Sequence, residues 1–118
     1  MTKNEELRQR TKQFAIRVIH LFRALSKATD AQIMGKQLLR CGTSVGANYR
    51  AVCRSRSKAE FIARLGVVAE EADESVFWLE VIEETKTLNP KQLQEISKEA
   101  RALSAIFSAS LKTARENN

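Results

Sequence analysis

The side chains able to do chemistry fall into two blocks of opposite sign. Glu70, Glu71, Asp73 and Glu74 crowd carboxylates into one short stretch, the raw material of a di-metal centre in a helical bundle. Such a centre also needs Glu-x-x-His pairs projecting inward. No histidine lies three residues beyond any of these acids, and His20 is the only one in the chain. The acids therefore read as a charged helix face. Glu70 and Glu74, four apart, repel slightly unless a cation sits between them, so partners are expected on the preceding helix or on a neighbouring subunit. Cys41 and Cys53, if on one helix, stand about 18 Å apart at about 1.5 Å per residue, too far for a disulfide. They read as small hydrophobes with too few companions to hold a metal. There is no glycine-rich phosphate loop and no nucleophile with a base beside it, so no catalytic residue, cofactor or metal is assigned and an enzyme is not expected.

The other block is basic. Arg50, Arg54, Arg56, Lys58 and Arg64 straddle a break in the middle of the chain, and Lys3, Arg8, Arg10, Lys12 and Arg17 form a second set near the start. Clustered Lys and Arg neutralise phosphates and give binding that weakens steeply with salt. No base-reading motif accompanies them, so sequence-tolerant contact with an RNA or DNA backbone is the functional expectation. The plainer alternative is a solvated surface that pairs with the acidic segment. The net charge of +6 hides strong segregation: residues 66–86 carry one basic and seven acidic groups, and residues 40–65 carry six basic and one acidic.

Which of these groups meet depends on the elements that carry them. The chain has 118 residues, 43% hydrophobic, with 4 glycines and 1 proline. That is enough for one domain with a core but too few turn residues for a strand-rich fold. No apolar run approaches the roughly 18 residues of a membrane span, and the charged start MTKNEELRQR lacks a signal-peptide core, so a cytoplasmic, non-membrane protein is expected. Thr2 and Glu5 form a capping box before a helix over about 4–26, with Leu7, Thr11, Phe14, Val18, Leu21 and Leu25 in one stripe widened by Ile19 and Phe22. Thr29 or Asp30 can cap a second helix over about 31–54, with Met34, Leu38, Cys41, Val45, Asn48 and Val52 as its seam. Gly42 and Gly46 within it cost about 1 kcal/mol each relative to Ala, which close approach of another helix backbone, across a low-relief surface with Ser44 and Ala47, would offset.

Ser57 and Glu60 form another capping box before a third helix over about 58–86, whose seam is Phe61, Leu65, Val68, Ala72, Ser75, Leu79 and Ile82, broadened by Val76 and Trp78. Asn89-Pro90, completed by Gln92, is the strongest stop-and-start signal. It opens a fourth helix over about 90–113 through Leu93, Ile96, Ala100, Leu103 and Phe107, with a frayed tail over 115–118. Four long helices with short connections predict an all-α, up-down-up-down antiparallel four-helix bundle as one domain over 1–118. In that topology the start of the first helix and the joint between the second and third share an end, so the two basic sets would combine there. Asn48, in the seam, should fix helix register through partners such as Glu74. Trp78 with Phe77 reads as core or subunit interface. The widened stripes leave apolar surface beyond the needs of a lone bundle, so a homo-oligomer is expected.

QLLRCGTSVGANY (Gln37 to Tyr49), then S-x-x-E-F-I (Ser57 to Ile62) and E-E-A-D-E-S-x-F-W-L (Glu70 to Leu79) resemble the four-helix bundle family of proteins encoded in 23S rRNA intervening sequences. A related branch comprises the accessory proteins of diversity-generating retroelements. Ser44, Asn48, Glu74 and Trp78 at these spacings carry the resemblance, and Gly42, Gly46 and Glu70 belong with them as a structural and oligomer motif. Many members of that family carry a carboxylate three residues after the motif asparagine, where this chain has Ala51. The resemblance implies a ring, often a pentamer, with nucleic-acid association as the recurrent suggestion and a reverse transcriptase partner only where a retroelement lies nearby. A protein-interaction module without specific nucleic-acid binding remains the alternative.

Overall fold

The computed structural model of the protein describes residues 1–117. Its elements, in order, are α1 (Lys3–Ala24), α2 (Thr29–Cys53), α3 (Lys58–Glu84) and α4 (Pro90–Glu116). They form an all-α, up-down-up-down antiparallel bundle of 47 × 26 × 19 Å.

The ends of the helices follow local chemistry. Thr2 and Glu5 close a complete capping box on α1, and Asn89 with Gln92 does the same on α4 with Pro90 in the first turn. At α3 only half of the expected box forms. Ser57 accepts from the Glu60 amide, while the Glu60 carboxylate turns away to Arg64. α2 differs from expectation more. It begins at Thr29 behind Ala28, with no side-chain cap, and Asp30 lies inside its first turn. α1 stops at Ala24 because Leu25 is already extended, at ψ 147°. α3 stops at Glu84 rather than 86 because Lys86 takes a left-handed conformation (φ 57°). The amides of Lys86 and Thr87 then close back on Glu83 and Ile82, satisfying carbonyls the helix end would leave free. α4 runs on to Glu116, past the expected end, so most of the tail read as frayed is helical; Asn118 lies outside the described residues.

The core is continuous along the bundle. Phe14, Val18, Leu38, Val45, Leu65, Val68, Leu79, Ile82, Leu93, Leu103 and Phe107 are almost wholly buried. One seam position is corrected. Tyr49, not Asn48, is the buried member of α2, at 4% exposure, and Asn48 sits half-exposed on the flank. Met34, Leu38, Cys41, Val45, Tyr49 and Val52 step by four and three with one extra four, which keeps pace with 3.6 residues per turn where strict alternation drifts off the face. Two of the buried hydroxyls are satisfied on their own helices, Thr11 donating to the Leu7 carbonyl at 2.8 Å and Ser75 to that of Glu71 at 2.8 Å, whereas the buried Ser97 hydroxyl has no partner.

α2 and α3 are packed along their length, α1 lies on α2, and α4 lies on α3, whereas α1 and α4 touch over a short stretch. The α1–α2 approach is close because α2 presents glycine there. A Cβ built on Gly42 would sit 2.8 Å from Val18 Cγ2, and one on Gly46 would sit 3.2 Å from the backbone oxygen of Thr11. A backbone oxygen cannot rotate away as a side chain can. Gly46→Ala is therefore expected to lower stability by about 1 kcal/mol, overpacking (about 1–3 kcal/mol) outweighing the helix gain of about 1. Urea unfolding followed by circular dichroism checks this, and a stabilised variant would contradict it.

Candidate nucleic-acid interface

The chain brings together, at one end of the bundle, the start of α1, the end of α2, the start of α3 and the last turns of α4. Lys3, Arg8 and Lys12 of the first basic set thus share a pole with the second, while Arg17 lies farther along α1 beside Arg10 and Glu99. Arg8 and Lys12 of α1 face Arg50 and Arg54 of α2 across a cleft of about 460 Å³, with Glu5, Gln9 and Cys53 in its walls. Arg8 and Lys12 lie four apart on one face of α1, and Arg50 stands in the last turn of α2 with Arg54 at its C-cap. Arg54 also opens onto a second hollow of about 370 Å³ on the α3 side, shared with Arg56, Glu60 and Arg64. Among the described residues Arg8, Lys12, Arg50, Arg54, Arg56 and Lys58 enter no ion pair, and all six are exposed. Cations that outnumber the acids beside them, Glu5 and Glu60, and form no close pair with them are a ready surface for phosphates.

Two members of the expected set have other work. Arg10 points to the opposite flank of α1, where Nη2 and Nε donate to the two oxygens of Glu99 at 2.7 and 3.1 Å. This bidentate pair ties α1 to α4 and, with the Glu99 bond as the chief cause, holds the Arg10 guanidinium above its ordinary pKa. Arg64 donates from Nη1 to the Ala51 carbonyl at 2.7 Å and pairs with Glu60 at 2.9 Å. It thereby caps the last turn of α2 from α3 and braces the joint. Both are bundle braces rather than open phosphate contacts.

The motif residues along the α2–α3 groove are also rearranged relative to the sequence reading. Asn48 does not pair with Glu74. Its Nδ2 donates to the Ser44 carbonyl at 2.9 Å, one turn back on its own helix, and the Ser44 hydroxyl donates to the Arg40 carbonyl at 2.7 Å. Glu74 instead accepts from Arg40 and, at 3.2 Å, from Nε1 of Trp78. Arg40 reaches Glu71 as well, at 3.4 Å. The partner expected on the preceding helix is therefore Arg40, which sits between Glu71 and Glu74 rather than between Glu70 and Glu74. Glu70 stays exposed on the outer side of α3. Phe77 is 52% exposed and meets Trp78 edge to face at 4.9 Å, Trp78 itself being half-buried. Among the described residues no cluster of three or more His, Cys, Asp or Glu side chains is arranged to hold a metal ion. No helix of the structure is long and apolar enough to cross a membrane.

Tyr49 connects the core to the pole. Its ring packs against Phe107 at 5.4 Å and its hydroxyl lies 3.1 Å from Asn4 Oδ1. Burial, reinforced by Cys53, pushes its phenol up to about 12. Burial likewise raises the Cys41 thiol, against the opposing bond from Ser75. Both groups are neutral when protonated, so the folded state holds their protons to higher pH than the unfolded state does. The stability this provides is present below pH 10 for Tyr49 and is lost as pH rises from about 10 to 12. Tyr49→Phe cannot ionise. Its stability deficit relative to the native chain is therefore expected to shrink as pH climbs from 9 to 12, read from urea unfolding at each pH; a deficit independent of pH contradicts the assignment.

Residues 3–109 match the family model described as 23S rRNA-intervening sequence protein. The crystal structure of a protein of unknown function from the S23 ribosomal protein family of Bacteroides thetaiotaomicron is similar at a TM-score of 0.85 and 30% identity. That likeness covers 94% of this chain and 99% of that one. No curated protein matches the chain. A family model spanning nearly its whole length, on a four-helix bundle that superposes on a member of the S23 group, shows that the chain belongs to the 23S rRNA intervening sequence protein family.

Proposed function

We propose that the protein is a non-enzymatic helical scaffold that assembles with copies of itself and holds nucleic acid at its basic pole. The observation that carries the binding half is the cleft of Arg8, Lys12, Arg50 and Arg54, four cations from distant parts of the chain without an ion pair among the described residues. Packing these like charges together disfavours folding. A ligand that supplies phosphates relieves the repulsion and releases its own counterions. No base-reading motif accompanies these cations in the sequence, so the backbone is the recognised feature and RNA and DNA of unrelated sequence are held alike.

The exposed face of α3 supports the assembly half. Gly66, Val67 and Phe77 lie away from the core. Val67 is 42% and Phe77 52% exposed, and a Cβ on Gly66 would meet nothing within 4 Å. Glycine in mid-helix costs about 1 kcal/mol and nothing within the lone chain offsets that. Val67 and Phe77 stand on an outer side of α3 that also exposes Glu70, Asp73 and Glu80, so the face joins two apolar side chains to a row of acids for a neighbouring copy to cover. A second copy fits it by charge, since the acids flanking this face meet a chain otherwise rich in Lys and Arg. A ring, pentameric as the family resemblance implies, would repeat the basic pole around one axis. The same face favours the second reading, in which the protein serves protein contacts alone and nucleic acid binds no better than to an unrelated chain of equal charge.

Charge reversal of Arg8, Arg50 and Arg54 to Glu is expected to abolish retention of single-stranded RNA and duplex DNA at low salt. The native chain should show an affinity that falls linearly on a log scale with salt, the slope giving about 0.7–0.9 per phosphate neutralised. Unchanged retention by the reversed variant, or binding after nuclease treatment only to proteins, selects the second reading. Separately, light scattering at micromolar concentration should show an oligomer that Phe77→Glu dissociates with its helicity intact. A monomeric native chain sinks the assembly half.

A further inference from the structure

Beside the basic cleft, and sharing the Cys53 wall with it, a third hollow, distinct from that of Arg56 and Arg64 and also of about 370 Å³, opens between the ends of all four helices. Its size falls in the roughly 300–1,000 Å³ range of small-ligand sites. Its walls are apolar and rich in rings, with Leu7, Tyr49, Val52, Phe61, Leu65 and Phe107 converging from four helices. Phe61, expected in the seam of α3, instead stands at this end 37% exposed, because no further helical turn covers it. An exposed aromatic ring, with Lys3 in the same hollow and a cluster of cations in the adjoining cleft, is an arrangement suited to base stacking.

The rim is polar. Lys3, Asn4, Ser57 and Ser110 surround the hollow, and Ser55 contributes a buried hydroxyl oxygen with no hydrogen-bond partner. Buried polar atoms are nearly always paired; of the two unpaired hydroxyls, Ser55 and Ser97, only that of Ser55 belongs to the lining of this hollow, where a partner is missing. The required guest has flat apolar faces for the rings and a polar edge for the hydroxyls. It is also tethered to negative charge, since the neighbouring cleft is lined by Arg8, Lys12, Arg50 and Arg54.

We propose that this hollow takes an unpaired nucleobase of a single-stranded polynucleotide whose flanking phosphates lie in the basic cleft. The inference rests on the pole being a nucleic-acid surface, and it narrows the ligand from any polyanion to one with unstacked bases. A duplex can place its phosphates in the cleft but cannot fill the hollow without first flipping a base out of its stack. The protein would therefore tell single strands and loops from uniform duplex without reading sequence, because every base offers a ring face.

The test compares three fluorescent probes of equal length at one salt concentration by anisotropy: oligoadenylate, an abasic strand with the same phosphates, and a duplex. Oligoadenylate is expected to bind at least tenfold more tightly than the abasic strand, the scale of one stacked base. Ser110→Trp fills the mouth of the hollow from an exposed helical position and removes no charge. It should bring oligoadenylate down to the abasic level while duplex binding and helicity stay as in the native chain. Equal affinity of the native chain for oligoadenylate and abasic strands overturns the base site but leaves the phosphate cleft standing. Equal affinity of the native chain and Ser110→Trp for oligoadenylate overturns it too. If none of the three probes binds, the phosphate cleft itself fails and the base site falls with it.

Discussion

The rest of the structure hangs on how closely α1 can lie against α2. Three glycines on one side of α2, Gly35, Gly42 and Gly46, let the α1 side chains and backbone approach to distances no Cβ would permit. That approach has an electrostatic consequence as well as a packing one. It narrows the gap between Arg8 and Lys12 on one helix and Arg50 and Arg54 on the other. Were α2 built with alanine at these positions, the helices would separate and the cations would spread into a dilute surface. Apolar burial along Phe14, Val18, Leu38 and Val45 supplies the free energy that holds the like charges together.

The acidic helix is organised by a different rule. α3 carries most of the negative charge of the chain, yet one basic residue, Arg40, spans the groove to Glu71 and Glu74. Such pairs at partly exposed positions are worth little in stability, of order 0–1 kcal/mol. Their value here is geometric. Glu74 holds Trp78 by its indole nitrogen, so the orientation of the ring beside the exposed Phe77 is set from α2. The motif of Ser44, Asn48, Glu74 and Trp78 thus forms a half-exposed strip along the groove rather than a buried polar lock.

Much of this was legible in the residues. Capping signals at Ser57 and Asn89 placed two helix starts to the residue and that at Thr2 placed a third within one, and the apolar spacing identified four helices and nearly all of the core. The misplacement of Asn48 has a simple origin. A strict seven-residue repeat holds only when helices supercoil to match it, and over the 18 residues from Met34 to Val52 a straighter helix brings Tyr49 inward instead. The end of α3 was hidden because Lys86 gives no sign of a left-handed turn, glycine being the usual marker. The fates of Arg8 and Arg10 could not be told apart from spacing. They lie on different sides of α1, and which side faces α2 depends on the hand in which the bundle winds. Arg64 was unreadable for a related reason, since its partner is a backbone carbonyl and carries no residue identity.

The thin contact between α1 and α4 gives the molecule an asymmetric grain. Three of the four helix interfaces are long, and the fourth is pinned chiefly by the Arg10–Glu99 clamp. Local opening follows the path of fewest buried contacts, so thermal breathing is concentrated along that edge while the α2–α3 pair stays as a spine. Amide protons on the flanks of α1 and α4 that face each other should trade with solvent sooner than their counterparts on the spine. The edge that loosens first runs down to the hollow at the pole, which gives a bulky guest a way in that leaves the centre of the bundle undisturbed.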